Sequence, residues 1–197
     1  MAQPSSDHRD RVFNRFAYEL SAVSGLPEAA RLLAHAADEL IGWDSNVLEL
    51  WDDGLKEFRM IHAVDIIAGM RTEIALPPVS KPSPIVQDVF QQGAKIILRN
   101  GDPVDRTQHV PFGDESRLSA SLLFVPVRQG EKVLGVFSAQ SYTPQAYTPA
   151  DLTLLQTLAD YGAGAIERIR AQDQLRDSEH RLRENRDRFH LALEIAS

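Results

Sequence analysis

The chain has 197 residues, with 21 Lys and Arg against 28 Asp and Glu, a formal net charge of −7 and no cysteine. This length predicts one domain or slightly more. The lack of cysteine excludes disulfides, thiolate nucleophiles, Cys-ligated metal centres and thioether-bound cofactors, and the acidic balance argues against a nucleic-acid partner. Because the sequence contains neither an apolar run of about 18 residues nor a leader-like start, we expect a cytoplasmic protein without membrane insertion.

The first part of the chain reads as two helices followed by a hairpin. Apolar residues at three- and four-residue spacing predict helices over 12–23 and 27–41. Strands are expected over 46–51 and 57–64, joined by the turn 52–54, whose glycine adopts positive φ freely. These two strands should pair antiparallel.

The middle of the chain predicts a short helix (85–92), a short strand (95–98) and a second hairpin (120–127 with 133–140). Between them lies a loop, 99–118, that is long for a compact domain and contains glycine and proline. Such loops are usually functional or disordered, and we expect a mobile lid over a ligand cavity.

A long helix is expected to close the chain. Thr148, Pro149 and Asp151 have the residue types of a helix N-terminus. The helix carries two apolar stripes, of which one would pack on the sheet. The other would be left for a partner and contains Leu154, Leu158, Tyr161, Ala165 and Ile169.

The helical pattern continues through an Arg-rich segment. Residues 167–190 hold seven arginines and no Gly or Pro, while Leu175, Leu182 and Phe189 recur every seven residues. This spacing is typical of a weak parallel coiled coil, and a single charged helix without a partner is the alternative. We therefore expect a parallel homodimer formed by the first helix, the second stripe and this extension, with Val12, Phe16 and Leu20 as the contacts of the first helix.

Several strings in their order resemble a GAF domain over residues 26–170. They are Ser121-Leu-Leu-Phe-Val-Pro-Val127, Gly130, Val133-Leu-Gly-Val-Phe137 and Tyr147-Thr-Pro-Ala-Asp-Leu152, preceded by Pro84-Ile-Val and Gly93-Ala-Lys-Ile-Ile97. The resemblance implies an α+β fold with an antiparallel sheet and helices on both faces. It also implies a small-molecule pocket under the long loop and outer helices that often dimerise.

The last residues, Arg188-Phe-His-Leu-Ala-Leu-Glu-Ile-Ala196, are similar to the first helix of a PAS domain. We expect four segments: an N-terminal dimerisation helix (1–25), a GAF-like sensory domain (26–170), an Arg-rich linker helix (171–187) and the truncated start of a PAS-like domain (188–197). This order resembles the sensory half of bacterial sensor histidine kinases or cyclic-di-GMP enzymes. PAS and output domains would then be partners within the same chain.

Several specific functions are excluded because the residues they need are absent from the sequence. The Asn-Lys-x-Phe signature of cyclic-nucleotide-binding relatives is absent, as is the cysteine that bilin-binding and methionine-sulfoxide-reducing relatives use. No two histidines stand two or four residues apart, as a paired metal site would require, and no proline follows His180, as it would in a phosphoacceptor box. We therefore expect no catalysis by this chain and assign no cofactor.

The candidate ligand-binding residues lie in the long loop and on two strands. A small ligand needs a few polar groups in an otherwise apolar cavity, which suggests Arg99, Asp102, His109, Phe112, Trp51 and Phe124. The alternative is a polar surface loop, with the two strand aromatics in the core. Two functions remain open: a ligand-responsive sensory module, and a ligand-free structural module for dimerisation and spacing.

Overall fold

The computed structural model describes residues 5–76, 82–100, 113–114 and 116–195, with side chains up to residue 186 and at Arg188. The helices are α1 (Ser6–Ala22), α2 (Leu26–Ile41), α3 (Pro84–Gln92) and α4 (Pro149–Ile195). The strands are β1 (Ser45–Asp52), β2 (Glu57–Ile67), β3 (Met70–Glu73), β4 (Lys95–Leu98), β5 (Ser121–Gln129) and β6 (Lys132–Ser141).

The six strands form one sheet in the order β3-β2-β1-β6-β5-β4, and every neighbouring pair is antiparallel. The predicted α+β class and both hairpins are confirmed. The sequence missed β3 because all four of its residues are exposed, so that this edge strand has no apolar pattern and is held by its pairing with β2.

Helices lie on both faces of the sheet, as expected. On one side, called the helix face, α2 and α4 pack on the strands and α1 packs against α2 and α4. The other side, called the α3 face, carries a smaller apolar cluster with α3. The main core lies on the helix face, where each fully buried large apolar side chain contributes roughly 1.5–3 kcal/mol relative to exposure.

The two central strands approach each other closely at one glycine. Gly135 on β6 lies opposite Leu50 on β1, and a Cβ at this position would be 2.8 Å from Leu50 Cα. Only glycine fits here without moving the backbone.

The last helix begins and continues as predicted. Thr148 N donates to Asp151 Oδ2 at 2.8 Å, while Asp151 N donates to Thr148 Oγ1 at 3.4 Å, a reciprocal cap. The helix spans 47 residues, or about 70 Å at 1.5 Å per residue, and side chains 171–186 are all exposed. None of the helices in the described ranges is long and apolar enough to cross a bilayer.

Candidate functional site

The α3 face has an apolar end built around three rings. Trp51, on β1, lies 5.2 Å from Phe58 of β2 and 5.7 Å from Phe90 of α3, measured between ring centroids. The rings of Phe58 and Phe90 meet edge to face at 5.1 Å. Buried Val86, Val89, Leu122, Phe124 and Val136 belong to the same apolar cluster, in which Leu122 and Phe124 extend it along β5 to Gln140 and Ser138 of β6. These rings fill the space between α3 and the sheet.

The opposite end of the same face carries a row of buried polar side chains. Ser45 pairs with Gln140 across β1 and β6, and the pairing of Asn46 with Val64 places Asp65 beside Ser45 on β2. Asp65, Ser45 and Gln140 are 1%, 2% and 6% exposed. Ser138, two residues before Gln140, is also buried and faces the same side. We call Ser45, Ser138 and Gln140 the polar floor.

The polar floor is poorly satisfied by the described part of the chain. Ser45 Oγ has no hydrogen-bond partner among the described residues, and Gln140 Nε2 reaches Ser138 Oγ only at 3.4 Å. A buried hydroxyl without a partner costs about 1–3 kcal/mol. A hydrogen bond from a small molecule would recover this cost, so the floor offers such a molecule groups that donate and accept hydrogen bonds.

Unlike the polar floor, Asp65 has several hydrogen-bond donors around its carboxylate. Its carboxylate accepts from Tyr142 Oη at 2.7 Å, from the Asp114 amide at 2.8 Å and from the Ile66 amide at 2.7 Å. The Arg117 guanidinium lies 3.5 Å from the centroid of the Tyr142 ring. Burial, and then the Asp65 carboxylate, raise the pKa of the Tyr142 phenol, which therefore keeps its proton and donates. These contacts attach Asp114 and Arg117 to the strand ends.

Three of the predicted ligand residues lie in the described part of the chain. Phe124 is 6% exposed and pairs with Ser138 of the polar floor across β5 and β6, whereas Trp51 is half-buried in the ring trio with Phe58 and Phe90. Arg99 follows β4 at the other end, where its side chain donates to the Ser119 carbonyl at 2.8 Å and burial lowers its pKa. The structure thus places Arg99 and Trp51 at opposite ends of one face.

The other three predicted residues, Asp102, His109 and Phe112, lie outside the described residues, and so does most of the proposed lid, 99–118. The described residues on either side of this segment show where it joins the fold. Asn100 accepts from Gln145 at 2.7 Å, and Gly113 sits against Asp65. The two attachment points therefore flank the polar end of the α3 face.

Sequence reasoning missed Ser45, Ser138, Gln140, Asp65 and Tyr142. The available signal was the pair Ser138 and Gln140, two polar residues two positions apart in the second half of the mostly apolar β6. That signal is weak, because the same alternation describes an ordinary strand with one face in water.

Three residues of α4 bind other parts of the fold just before its exposed segment, 171–186, which we call the helical extension. We call these residues the collar: Glu167, Arg168 and Arg170. Lys132 Nζ donates to Glu167 at 3.0 Å. Arg168 donates to the carbonyls of Leu20 and Val23 at 3.0 and 2.8 Å, and so caps the end of α1. Arg170 donates to the Trp51 carbonyl at 2.9 Å. Each tie joins α4 to a different element.

A shallow groove of about 250 Å³ runs between α1 and α4. Its lining is mostly small or apolar: Ala17, Leu20, Ser21, Tyr161, Gly164, Ala165 and Arg168. Tyr161 is 55% exposed, and Leu175 and Leu182 further along α4 are 60% and 67% exposed. Tyr161 and Leu175 stand fourteen residues apart and Leu175 and Leu182 seven, so the three share one heptad position and lie on one strip of the helix.

Part of the predicted dimer contact is wrong. Val12, Phe16 and Leu20 are 2–4% exposed and Leu158 and Ile169 are fully buried, all in the chain's own core. The stripe prediction failed because α4 is covered on two sides, by the sheet and by α1 with α2. Among the described apolar side chains of α4 up to Ile169, the strip through Tyr161 remains open.

A family model for the GAF domain matches residues 24–167. The chain belongs to the GAF family. GAF domains are sensory and regulatory modules, found in sensor kinases and phytochromes.

Solved structures share this fold at low sequence identity. The GAF domain of an Acinetobacter phosphoenolpyruvate-protein phosphotransferase is 21% identical with a TM-score of 0.65, over 85% of this chain and 97% of that one. The free methionine-R-sulfoxide reductase of Neisseria meningitidis is 18% identical with a TM-score of 0.62, over 87% and 96%. The GAF domain of a sensor histidine kinase from Bacillus halodurans is 17% identical with a TM-score of 0.56, over 77% and 99%. At these identities the likeness concerns the fold, and no curated protein matches the sequence significantly.

Proposed function

We propose that this GAF domain is a sensory module that binds a small molecule on the α3 face. It passes the change through a dimeric C-terminal helix to a downstream output domain. The observation that carries the ligand site is the polar floor, in which Ser45 Oγ is buried and finds no hydrogen-bond partner in the part of the chain that the structure describes.

The polar floor and the aromatic end together define the class of ligand. A molecule that bridges them needs hydrogen-bonding groups at one end, toward Ser45 and Gln140, and an apolar part toward Phe124. We propose that Arg99, Asp102, His109 and Phe112 line the remaining sides, with Trp51 at the far wall.

A thermal-shift screen tests this site. The purified chain is heated with nucleotides, haem, aromatic acids and amino acids, and a ligand raises the unfolding temperature according to RT ln(1 + [L]/Kd). For any hit, the double variant Ser45→Ala with Gln140→Leu should weaken binding about tenfold or more. The exposed Ser178→Ala variant is the matched control and should bind like the parent chain.

The proposed output path is the exposed strip of α4. Tyr161, Leu175 and Leu182 occupy one heptad position, and Gly164 and Ser178 belong to the second. An apolar strip exposed to water along a helix is unfavourable. A second copy of the chain covers it in a symmetric dimer, where each apolar residue faces its counterpart. In this proposal the helix leads, through the linker 171–187, into the PAS-like segment 188–197 and then a histidine kinase or cyclic-di-GMP output domain.

The alternative function is a ligand-free module for dimerisation and spacing, which the same exposed strip supports. The two proposals differ in the screen. A hit that depends on Ser45 and Gln140 supports the sensor, whereas a dimer that binds none of the four probe classes supports the spacer.

A further inference from the structure

Trp51 connects the aromatic end of the α3 face to the helical extension. Its ring packs between Phe58 and Phe90 on the α3 face, while its carbonyl accepts the hydrogen bond from Arg170 of α4. Any shift of the ring that moves the strand end therefore moves the acceptor of this bond.

Arg170 is well placed to respond to such a shift. It is the last tie of the collar, and every described side chain after it, from 171 to 186, is exposed. Burial lowers the pKa of its guanidinium, while the charges of Asp52, Asp53 and Glu167 raise it. A cation that has lost much of its water is costly to leave without its acceptor, so α4 should follow Trp51 and not release it.

The neighbouring residues make this connection stiff at the strand end. Trp51 Nε1 donates to Asp53 Oδ1 at 3.0 Å, and the Asp52 carboxylate accepts from the amides of Gly54 and Leu55 at 2.9 and 3.1 Å. The turn after β1 is thus hydrogen-bonded to the same short stretch that holds the ring and the carbonyl. A displacement of Trp51 is passed on and is not absorbed by a loose turn.

We propose that Arg170 is a positioning residue that couples the packing of the α3 face to the order of the helical extension. This inference rests on the proposed sensory function, since it supplies the regulation of that site. The collar residue Arg168 holds α1 instead, so the coupling belongs to Arg170 specifically.

A double-mutant cycle read by amide hydrogen exchange tests the coupling without any ligand. Phe90→Leu removes one ring from the aromatic end and keeps an apolar side chain. In the 197-residue parent chain we expect this change to speed exchange at amides 171–178 about fivefold, the lower end of typical coupling between sites. In the Arg170→Met background the same change should alter exchange by less than about twofold.

Two matched controls separate coupling from general loosening. Val86→Ala perturbs α3 in the same cluster but outside the ring trio and should leave amides 171–178 unchanged. Arg176→Met removes an exposed arginine and should preserve the full response to Phe90→Leu. If circular dichroism shows that Phe90→Leu does not fold, Phe58→Leu takes its place.

An equal response to Phe90→Leu with and without Arg170, or no response in the parent chain, would overturn the proposal. These outcomes are independent of the ligand screen. A screen without hits removes the sensory function and leaves the exchange result standing, whereas a failed cycle removes the coupling and leaves ligand binding intact.

Discussion

Tyr142 donates its phenol hydrogen to Asp65 Oδ1 at 2.7 Å and joins the end of β6 to the end of β2. The other oxygen of Asp65 accepts the Asp114 amide at 2.8 Å. One carboxylate therefore holds both a strand end and the chain that follows residues 101–112.

Gly113→Ala tests this attachment. Gly113 has φ +69°, and a Cβ there would lie 2.6 Å from Asp65 Cβ, so alanine must displace Asp65. Gly130→Ala is the matched control, because it has φ +59° and nothing within 4 Å. We expect Gly130→Ala to lose about 1 kcal/mol of unfolding free energy through the backbone alone, and Gly113→Ala to lose at least about 1 kcal/mol more. Urea unfolding measures both, and equal losses would contradict the attachment.

Asn46→Leu should stabilise the chain. Asn46 is fully buried on the helix face, between Val64 and Ala139, and neither atom of its amide has a hydrogen-bond partner within residues 5–76, 82–100, 113–114 and 116–195. Replacing this amide with an apolar side chain should raise the free energy of unfolding by about 1 kcal/mol. The exposed Asn14→Leu should change it by less than about 0.5 kcal/mol. A loss of stability in Asn46→Leu would mean that the amide is satisfied in solution.

His62 should make the folded state sensitive to acid. Burial lowers the pKa of its imidazole, with Arg31 and His35 acting in the same direction and Glu73 opposing them. The unfolded chain then binds more protons, so stability is present above the ordinary histidine pKa of about 6.5 and declines as the pH falls below it. The decline is at most about 1.4 kcal/mol per pH unit.

Unfolding by urea between pH 7.5 and 5 measures this effect. His62→Gln removes the titrating group, and the difference between parent and variant should shrink toward low pH. A difference that does not change with pH would show that His62 does not titrate on unfolding.

Leu175→Glu with Leu182→Glu should dissociate the proposed homodimer. Both leucines are mostly exposed on α4, so the change does not touch the folded core. Facing charges in two layers should lower the association constant at least about tenfold, or 1.4 kcal/mol. Light scattering at tens of micromolar measures the mass.

The matched control is Arg176→Glu with Arg183→Glu, which adds more negative charge outside the strip and should remain dimeric. Glutamate at Leu158 is not a suitable test, because Leu158 is fully buried and its replacement would unfold the domain. A monomeric parent chain would contradict the dimer itself.

The sequence by itself determined the elements whose pattern is local. The α2 and α3 helices, the two hairpins and the Thr148 cap follow from apolar spacing, glycine turns and capping residues within a few positions of each other. The order of strings such as Ser121–Val127 and Tyr147–Leu152 was enough to indicate the family and therefore the sheet.

Only the tertiary structure decided which apolar residues face the chain's own core. Leu154 and Leu158 look alike in sequence, yet only Leu158 is fully buried, because α1 and α2 cover one flank of α4 and leave the strip through Tyr161 open. The same holds for β3, which exists through pairing with β2 and not through its own pattern.

The polar floor and the collar were also beyond the sequence. Ser45, Asp65 and Gln140 come together through the register of three strands that are far apart in the chain, and Arg170 meets Trp51 across 119 positions. The sequence around Ser45 resembles that of a serine exposed to water, and the sequence around Arg170 resembles that of an exposed arginine. Burial by distant elements removes water from these groups, and this loss of water makes them candidates for binding and coupling.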